Sequence, residues 1–529
     1  MNRILLAAVL SAVAMPAWAA SELSPQQCRA LKGDTSLYQT EITRAEWVAG
    51  EAMPQDGMAA MTGASAGAQI MPLHCLLEGA IEQRKGADGK DYATTFQLRL
   101  PAQWNEKFLF QGGGGMNGFL GPAVGSVPFR NSSATPALLR GYAVVSTDGG
   151  HRGRDASFAA DQQARLDLAY TAIGKVTTTS KQLIGKLYQT APQKSYFMGC
   201  SNGGREAMMA AQRYPLEFDG VVAGNPGFRL AYAAVGEAWD NQHFMAAAPK
   251  NAQGEKIFAN ALTQADLDTV SQAILNRCDA KDGLKDGLVN AWESCDFKPD
   301  MVKKQLGGKK VALLKAIFGG AKNSRGENVY ASWPYDAGIN SSDWRAWKLG
   351  NSQTAEPNAR NITLGVGSLS SLFMTPYNPQ FDTMKFDFDR DLANIRPMAG
   401  IFNADSTNLT TFNSRGGKML VIQGVSDPMF STNDLRDWYV QMQKDTPSSA
   451  NAARLFMVPG MAHCGTGPAL DDFDPLTALE NWAEKGQAPA SMIAQGKAFS
   501  GKTQPICAYP KVATYIGGDE NRAESFVCR

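Results

Sequence analysis

The five residues Gly199-Cys200-Ser201-Asn202-Gly203 constrain this chain more than any other stretch. They read G-x-S-x-G. Ahead of them lies Ser195-Tyr196-Phe197-Met198, a short apolar run of the kind that forms a buried strand. Behind them, Gly204-Arg205-Glu206-Ala207-Met208-Met209-Ala210-Ala211-Gln212 is rich in helix formers. A serine on a tight strand-to-helix turn is presented as a nucleophile. Glycine suits the flanks because the turn is strained and backbones crowd there. The alternative is an ordinary glycine-rich turn; the strand before and the helix after favour the nucleophile.

The surrounding pattern extends this unit. Strands are expected at 91–100, 107–110 and 142–146, the second ending in Gln111 and four glycines. A helical stretch covers about 163–188, and another strand candidate follows the serine at 218–224. Strand and helix alternate, which predicts a mostly parallel, doubly wound α/β sheet. After Pro226 the rhythm breaks into helical pieces, tryptophans and polar loops. It returns with strands at 418–424 and 454–458. A connection of roughly 170 residues is too long for a plain loop. The chain therefore divides into a first core part (20–227), an inserted lid domain (228–400) and a second core part (401–529). The fold class is an α/β-hydrolase core with a large insertion.

Residues 1–19 read as a secretory signal peptide: Arg3 at the start, an apolar stretch over 5–15, and the small-x-small site Ala17-Trp18-Ala19. Mature chain is expected from about Ala20, which places the protein in the periplasm or the medium. Loss of Arg3 takes the formal charge from +1 to 0. That balance argues against nucleic acid or an anionic membrane as partner. No other apolar run is long enough to span a bilayer.

A serine hydroxyl needs a general base, and the base needs an orienting acid. In this fold the order along the chain is serine, acid, histidine. Of the four histidines, His74 and His151 precede Ser201 and His243 falls in the insertion. His463, just after the last strand, is the expected base; the alternative is a surface-loop histidine. Asp427 follows the strand at 418–424 and is the expected acid, with a turn aspartate before Pro428 as the other reading. The backbone N–H of Asn202 is one expected oxyanion donor, and the glycine loop 111–118 supplies the other.

Eight cysteines in an exported chain imply disulfides, with 105 conceivable pairings. Local spacing favours Cys278–Cys295 and Cys507–Cys528, and Cys28 with Cys75 can tie down the N-terminal segment. Cys200 precedes the expected nucleophile and Cys464 follows the expected base. If Ser201 and His463 meet, these sulfurs are near each other too, so the pairing and the triad support one another. Two buried free thiols are the alternative. Asp279, Asp282 and Asp286 lie between Cys278 and Cys295 among turn glycines, a composition that suits either a hard cation or a solvated acidic loop.

Together these motifs resemble the tannase/feruloyl esterase family over nearly the whole mature chain. The resemblance rests on Gly-Cys-Ser-x-Gly-Gly at 199–204, Ser426-Asp427, Pro459-Gly460-Met461-x-His463-Cys464 and the aspartate loop at 279–288. It implies cleavage of esters of aromatic acids, small substrates of feruloyl or galloyl type, with no organic cofactor. It implies a Cys200–Cys464 bond beneath the triad, and Gly115 as the second oxyanion donor. It also implies a structural Ca²⁺ held by Asp279, Asp282, Asp286 and the carbonyls of Leu284 and Leu288. The chain is similar, within the family, to members that hydrolyse a terephthalate monoester. That likeness implies Arg360 as a carboxylate clamp, Trp347 as a lid tryptophan and Phe430 as a pocket wall. An exposed lid arginine and packing aromatics are the other reading of these three. The chain departs from those members at Leu364 and Gly365, where they carry an aromatic residue and a serine, and at Asn202, where they carry glutamate. Rival functions on the same scaffold are an acyltransferase and a non-catalytic binding protein.

Overall fold

Nine strands share one sheet in the computed structural model, which describes residues 23–54, 69–365 and 367–529. The leader expected over 1–19 lies outside the described residues. In chain order the strands are β1 (Thr40–Val48), β2 (His74–Lys85), β3 (Asp91–Pro101), β4 (Lys107–Gln111), β5 (Ala143–Thr147), β6 (Lys194–Cys200), β7 (Gly220–Gly224), β8 (Lys418–Gly424) and β9 (Ala453–Val458). In space they run β1-β2-β3-β5-β4-β6-β7-β8-β9. From β5 to β9 every pairing is parallel, and β1, β2 and β3 add an antiparallel edge.

The parallel strands read as unbroken apolar runs because both their faces are buried. Phe108, Phe110, Phe197, Val221, Ala223, Met419 and Val421 point into one core. Their neighbours Leu109, Tyr196, Met198, Val222, Leu420 and Ile422 point into the other. Helices α1 (Ala172–Tyr188) and α2 (Asn202–Arg213) pack on the first face, and the helix Pro475–Lys485 packs on the second. The sheet is therefore doubly wound, as the alternation of strand and helix predicted.

Strand β4 leads to β5 on one side, and the chain then crosses back to β6 on the other. Such a reversal leaves a crevice beyond the carboxyl ends of the two central strands, where α/β proteins bind ligands. Both the glycine loop after β4 and Ser201 after β6 open into that crevice. Between β7 and β8, residues 225–417 add no named strand to the sheet among the described residues.

All eight cysteines are paired: Cys28–Cys75, Cys200–Cys464, Cys278–Cys295 and Cys507–Cys528, with Cα atoms 5.1–6.0 Å apart. The alternative of buried free thiols at 200 and 464 is excluded. Such bonds belong to oxidising compartments. Among the described residues no helix is long and apolar enough to cross a membrane.

Candidate active site

Ser201 sits between β6 and α2 with φ 63° and ψ −124°. A side-chain-bearing residue there is strained. The strain is held by backbone bonds: Ser201 N–H donates to Gly224 O at 3.0 Å, and Ser201 O accepts from Arg205 N–H at 3.0 Å and Gly227 N–H at 3.1 Å. A Cβ at Gly199 would lie 2.5 Å from the carbonyl of Gly203, and one at Gly203 would lie 2.5 Å from Gly113 O. The glycines of the motif thus allow strand, helix and glycine loop to touch. Among the described residues Ser201 Oγ has no hydrogen-bond partner, and the residue lines an adjoining cavity.

His463 and Asp427 meet behind that cavity. His463 Nδ1 lies 3.0 Å from Asp427 Oδ2. An ionised carboxylate can only accept, so Nδ1 carries the proton and Nε2 is left as the basic nitrogen. The carboxylate is fixed on all sides. Its Oδ1 accepts from the N–H groups of Met429 (2.8 Å) and Phe430 (3.3 Å), and its Oδ2 also accepts from Asn225 Nδ2 (2.7 Å) and Gln423 Nε2 (3.4 Å). Both residues are buried, with 1 % of Asp427 and 3 % of His463 exposed. Phe430 and Trp347 present edge-to-face contacts to the imidazole, at centroid distances of 5.3 and 5.6 Å. The Cys200–Cys464 bridge joins the neighbour of the serine to the neighbour of the histidine.

The loop after β4 brings Gly115 to the same cavity, with φ 57° and no atom within 4 Å of where its Cβ would stand. The N–H of Asn202, first residue of α2, belongs to the helix-end donors that lack an intrahelical partner. No described group accepts from it or from the N–H of Gly115. Glu206, one turn into α2, ties the two halves together. Its carboxylate accepts from Gly113 N–H (2.8 Å), Asn117 Nδ2 (3.1 Å) and Asn202 Nδ2 (3.0 Å).

The cavity holds about 300 Å³ and is walled mainly by apolar side chains, among them Phe119, Leu230, Ala234, Met429 and Phe430. Arg360 lines it, with its guanidinium 5.4 Å from the Trp347 ring centroid. Its Nη1 pairs with Asp343 at 2.9 Å, and Arg130 shares that carboxylate at 2.8 Å. Arg360 is thus partly exposed and in the pocket wall. Trp347 and Phe430 each pack and line the pocket at once.

A profile described as tannase and feruloyl esterase matches residues 79–529. The chain belongs to the tannase and feruloyl esterase family. A mono(2-hydroxyethyl) terephthalate hydrolase of Piscinibacter sakaiensis is 39 % identical over 522 residues, covering 88 % of this chain and 86 % of that protein. A tannase of Aspergillus oryzae is 25 % identical over 508 residues, covering 81 % of each chain. The crystal structure of feruloyl esterase B from Aspergillus oryzae superposes with a TM-score of 0.76 at 21 % identity, covering 96 % of this chain and 100 % of that one. That last likeness concerns the fold. As a tannase/feruloyl esterase family member, the protein is a carboxylic ester hydrolase.

The aspartate loop of this family member lies apart from the cavity. Asp279 accepts from the N–H groups of Asp286 (3.3 Å) and Gly287 (3.0 Å), and Asp282 from those of Leu284 (3.2 Å) and Asn290 (2.9 Å). Asp286 Oδ2 pairs with Lys502 Nζ at 2.7 Å. Burial, and then the charge of Asp286, raise the pKa of both Asp279 and Asp282 against these backbone donors. The carbonyls of Leu284 and Leu288 accept no hydrogen bond among the described residues. As they stand, no three acidic, imidazole or thiol groups among the described residues are arranged to hold a metal ion. The available donors are all oxygens, which is the chemistry of a hard cation.

Sequence reasoning did not find Glu206, Asn225 or Gln423. Glu206 carried a local signal, because it stands four residues after Asn202 on a helix and so shares its face. Asn225 and Gln423 carried none, since their partner is distant in sequence or hidden at a strand end.

Proposed function

We propose that the protein is an exported serine esterase that cleaves esters of aromatic acids, of feruloyl or galloyl type, through a Ser201–His463–Asp427 triad. The observation that carries this reading is the His463–Asp427 hydrogen bond at the wall of an apolar cavity that Ser201 also lines. His463 Nε2 takes the Ser201 proton as Oγ attacks the ester carbonyl. Asp427 holds the imidazole tautomer and stabilises the imidazolium. The N–H groups of Gly115 and Asn202 stabilise the oxyanion, at about 2.7–4 kcal/mol per donor. The alcohol leaves with the proton from His463, an aroyl-serine remains, and water activated by His463 releases the acid. The insertion between β7 and β8 acts as a lid domain over the site. The donor set of the aspartate loop would hold a structural Ca²⁺ through Asp279, Asp282, Asp286 and the carbonyls of Leu284 and Leu288, bracing the loop against its own charge.

The test is a hydrolysis panel of methyl gallate, methyl ferulate and mono(2-hydroxyethyl) terephthalate, run on the wild type and on Ser201→Ala. The variant should lose about 10⁴-fold or more in kcat while keeping the fold. Undiminished turnover would overturn the triad, and wild-type failure on every aromatic ester would overturn the substrate class. One observation favours a second reading, a terephthalate monoester hydrolase: Arg360 lines the cavity beside Trp347. Under that reading Arg360→Ala harms the terephthalate monoester selectively. Equal loss across the panel counts against it.

A further inference from the structure

Glu237 is a polar group of the cavity that this mechanism leaves unused. It lies on the helix Leu230–Ala247, where Leu230, Ala234 and Glu237 recur at i, i+4 and i+7 and share one face. All three line the cavity, as do Leu364, Gly365 and Ser368 across from them. The residue is 6 % exposed. Among the described residues its carboxyl has neither a hydrogen-bond nor an ion-pair partner. The charges that act on it, Lys348 and Asp240, are buried and pair with each other.

Gly365 makes the room. A Cβ at that position would lie 1.7 Å from Glu237 Oε2 and 2.8 Å from its Cδ. Any side chain at 365 would displace the carboxyl, so the missing atom on one wall and the extra group on the other form a single feature. The carboxyl opens on the cavity, so its hydrogen-bond partners have to come from whatever fills that space. A polar group so placed on a binding wall is available to a ligand.

We propose that Glu237 is the specificity-determining residue that hydrogen-bonds a ring hydroxyl of the aromatic acyl group, an inference that rests on the aromatic-ester reading above. Burial raises its pKa to about 8, with Lys348 opposing and Asp240 adding to the shift. At neutral pH the side chain is therefore an uncharged acid, one O–H donor and one carbonyl acceptor. Its complement is a group that both donates and accepts. A phenolic hydroxyl does both and is uncharged at pH 7. A substrate carboxylate only accepts, and finds Arg360, Arg130 and Arg154 along the same cavity.

The experiment compares matched esters, methyl 3-hydroxybenzoate and methyl benzoate, on the wild type, Glu237→Met and Glu237→Gln. The readout is the ratio of kcat/KM for the hydroxylated over the unsubstituted ester. The wild type should favour the hydroxylated ester about tenfold or more, Met should collapse the ratio, and Gln, which keeps a donor and an acceptor, should restore most of it. Raising the pH through about 8 ionises Glu237 and removes its donor. The wild-type ratio should then fall from pH 7 to pH 9 more steeply than that of Glu237→Gln, which controls for ionisation of the phenol and of His463. Glu237→Met should leave the thermal midpoint level or raise it, because the carboxyl it removes has no protein partner among the described residues; a purely structural glutamate would lower it. A Met variant that keeps the ratio within twofold of wild type overturns the proposal. So does a Gln variant whose ratio falls in step with wild type, and this second arm decides the matter if the Met variant does not fold. A wild type that cleaves both esters without preference refutes the role of Glu237 alone. One that cleaves neither refutes the aromatic-ester reading itself.

Discussion

Replacing Glu206 by glutamine separates the shape of this side chain from its charge, and the effect can be worked from the bonds it makes. Oε2 accepts from the N–H of Gly113, and Oε1 accepts from the side-chain amides of Asn117 and Asn202. Three donors and no acceptor face it. A glutamine offers one oxygen and one NH₂, so whichever way the amide turns, at least one donor meets another donor. The least damaging orientation orphans Gly113 N–H, two residues before the expected oxyanion donor Gly115. An orphaned buried donor costs about 1–3 kcal/mol. If that cost falls wholly on the transition state, kcat drops about 5- to 150-fold with KM little changed. Steady-state kinetics on a small activated ester such as p-nitrophenyl acetate, paired with urea denaturation, give both quantities. A variant with kcat within twofold of wild type and an unshifted urea midpoint would refute the idea that Glu206 positions the oxyanion loop.

Asp427→Asn presents His463 Nδ1 with an amide that can donate as well as accept, and kcat should fall by about 10³–10⁴ in steady-state assays. Removing the Cys200–Cys464 bridge as a double alanine variant frees two points 264 residues apart, and urea denaturation should show a loss of about 2–5 kcal/mol together with reduced kcat. Chelation with EGTA should lower the thermal midpoint of the wild type but not that of Asp282→Asn, since a cation at a hundred times its Kd contributes about 2.7 kcal/mol. His74 is fully buried, donates from Nδ1 to Pro72 O at 2.7 Å and faces Arg99 Nη1 at 2.6 Å. Burial, then Arg99, lowers its pKa to about 4. A histidine with a depressed native pKa stabilises the fold fully above the unfolded value of about 6.5 and loses that contribution as pH falls toward 4. From pH 7 to pH 5 the wild type should therefore lose about 2 kcal/mol more than His74→Gln in urea denaturation.

The parts of this molecule legible in the sequence are those whose cause is local. The turn around Ser201 is fixed by five residues and the apolar and helical runs on either side. Asp427 and His463 each stand just beyond a strongly apolar strand, and the parallel order of those strands brings the two into a hydrogen bond. Strands β4 to β9 are buried on both faces and read as plain apolar runs. β1 and β2 escaped notice because they lie at the antiparallel edge, where Glu41, Glu46 and Gln83 interrupt the apolar pattern. The stretch at 163–188 is helical as its pattern predicts, and it contains a wider turn at Asp167–Thr171 that no residue in it announces. Glu237 was hidden for a different reason. It sits on a helix with buried residues on every side, where nothing in the pattern sets Glu237 apart from its neighbour Asp240. Its meaning depends on Gly365, more than a hundred residues away.

Contacts of the same long range tie the segment between β7 and β8 to the core. Asp336, inside it and 2 % exposed, accepts from Ser426 Oγ at 2.5 Å and from the N–H of Gly460 at 2.7 Å. Ser426 is next to Asp427, and Gly460 lies three residues before His463. One carboxylate from the 225–417 segment therefore clamps the loop that carries Asp427 to the loop that carries His463. Tyr330 Oη and Ser332 O bind Ser431 on the far side of the Asp427 loop at 3.1 and 2.5 Å, and Trp347 sets its edge against the imidazole. Swinging the whole insertion outward would break these bonds and strand a buried carboxylate, a cost of several kcal/mol. Segment 330–347 thus belongs to the frame that holds His463 and Asp427 in register. The cavity's other walls are less tied down, and Leu364 there is 45 % exposed.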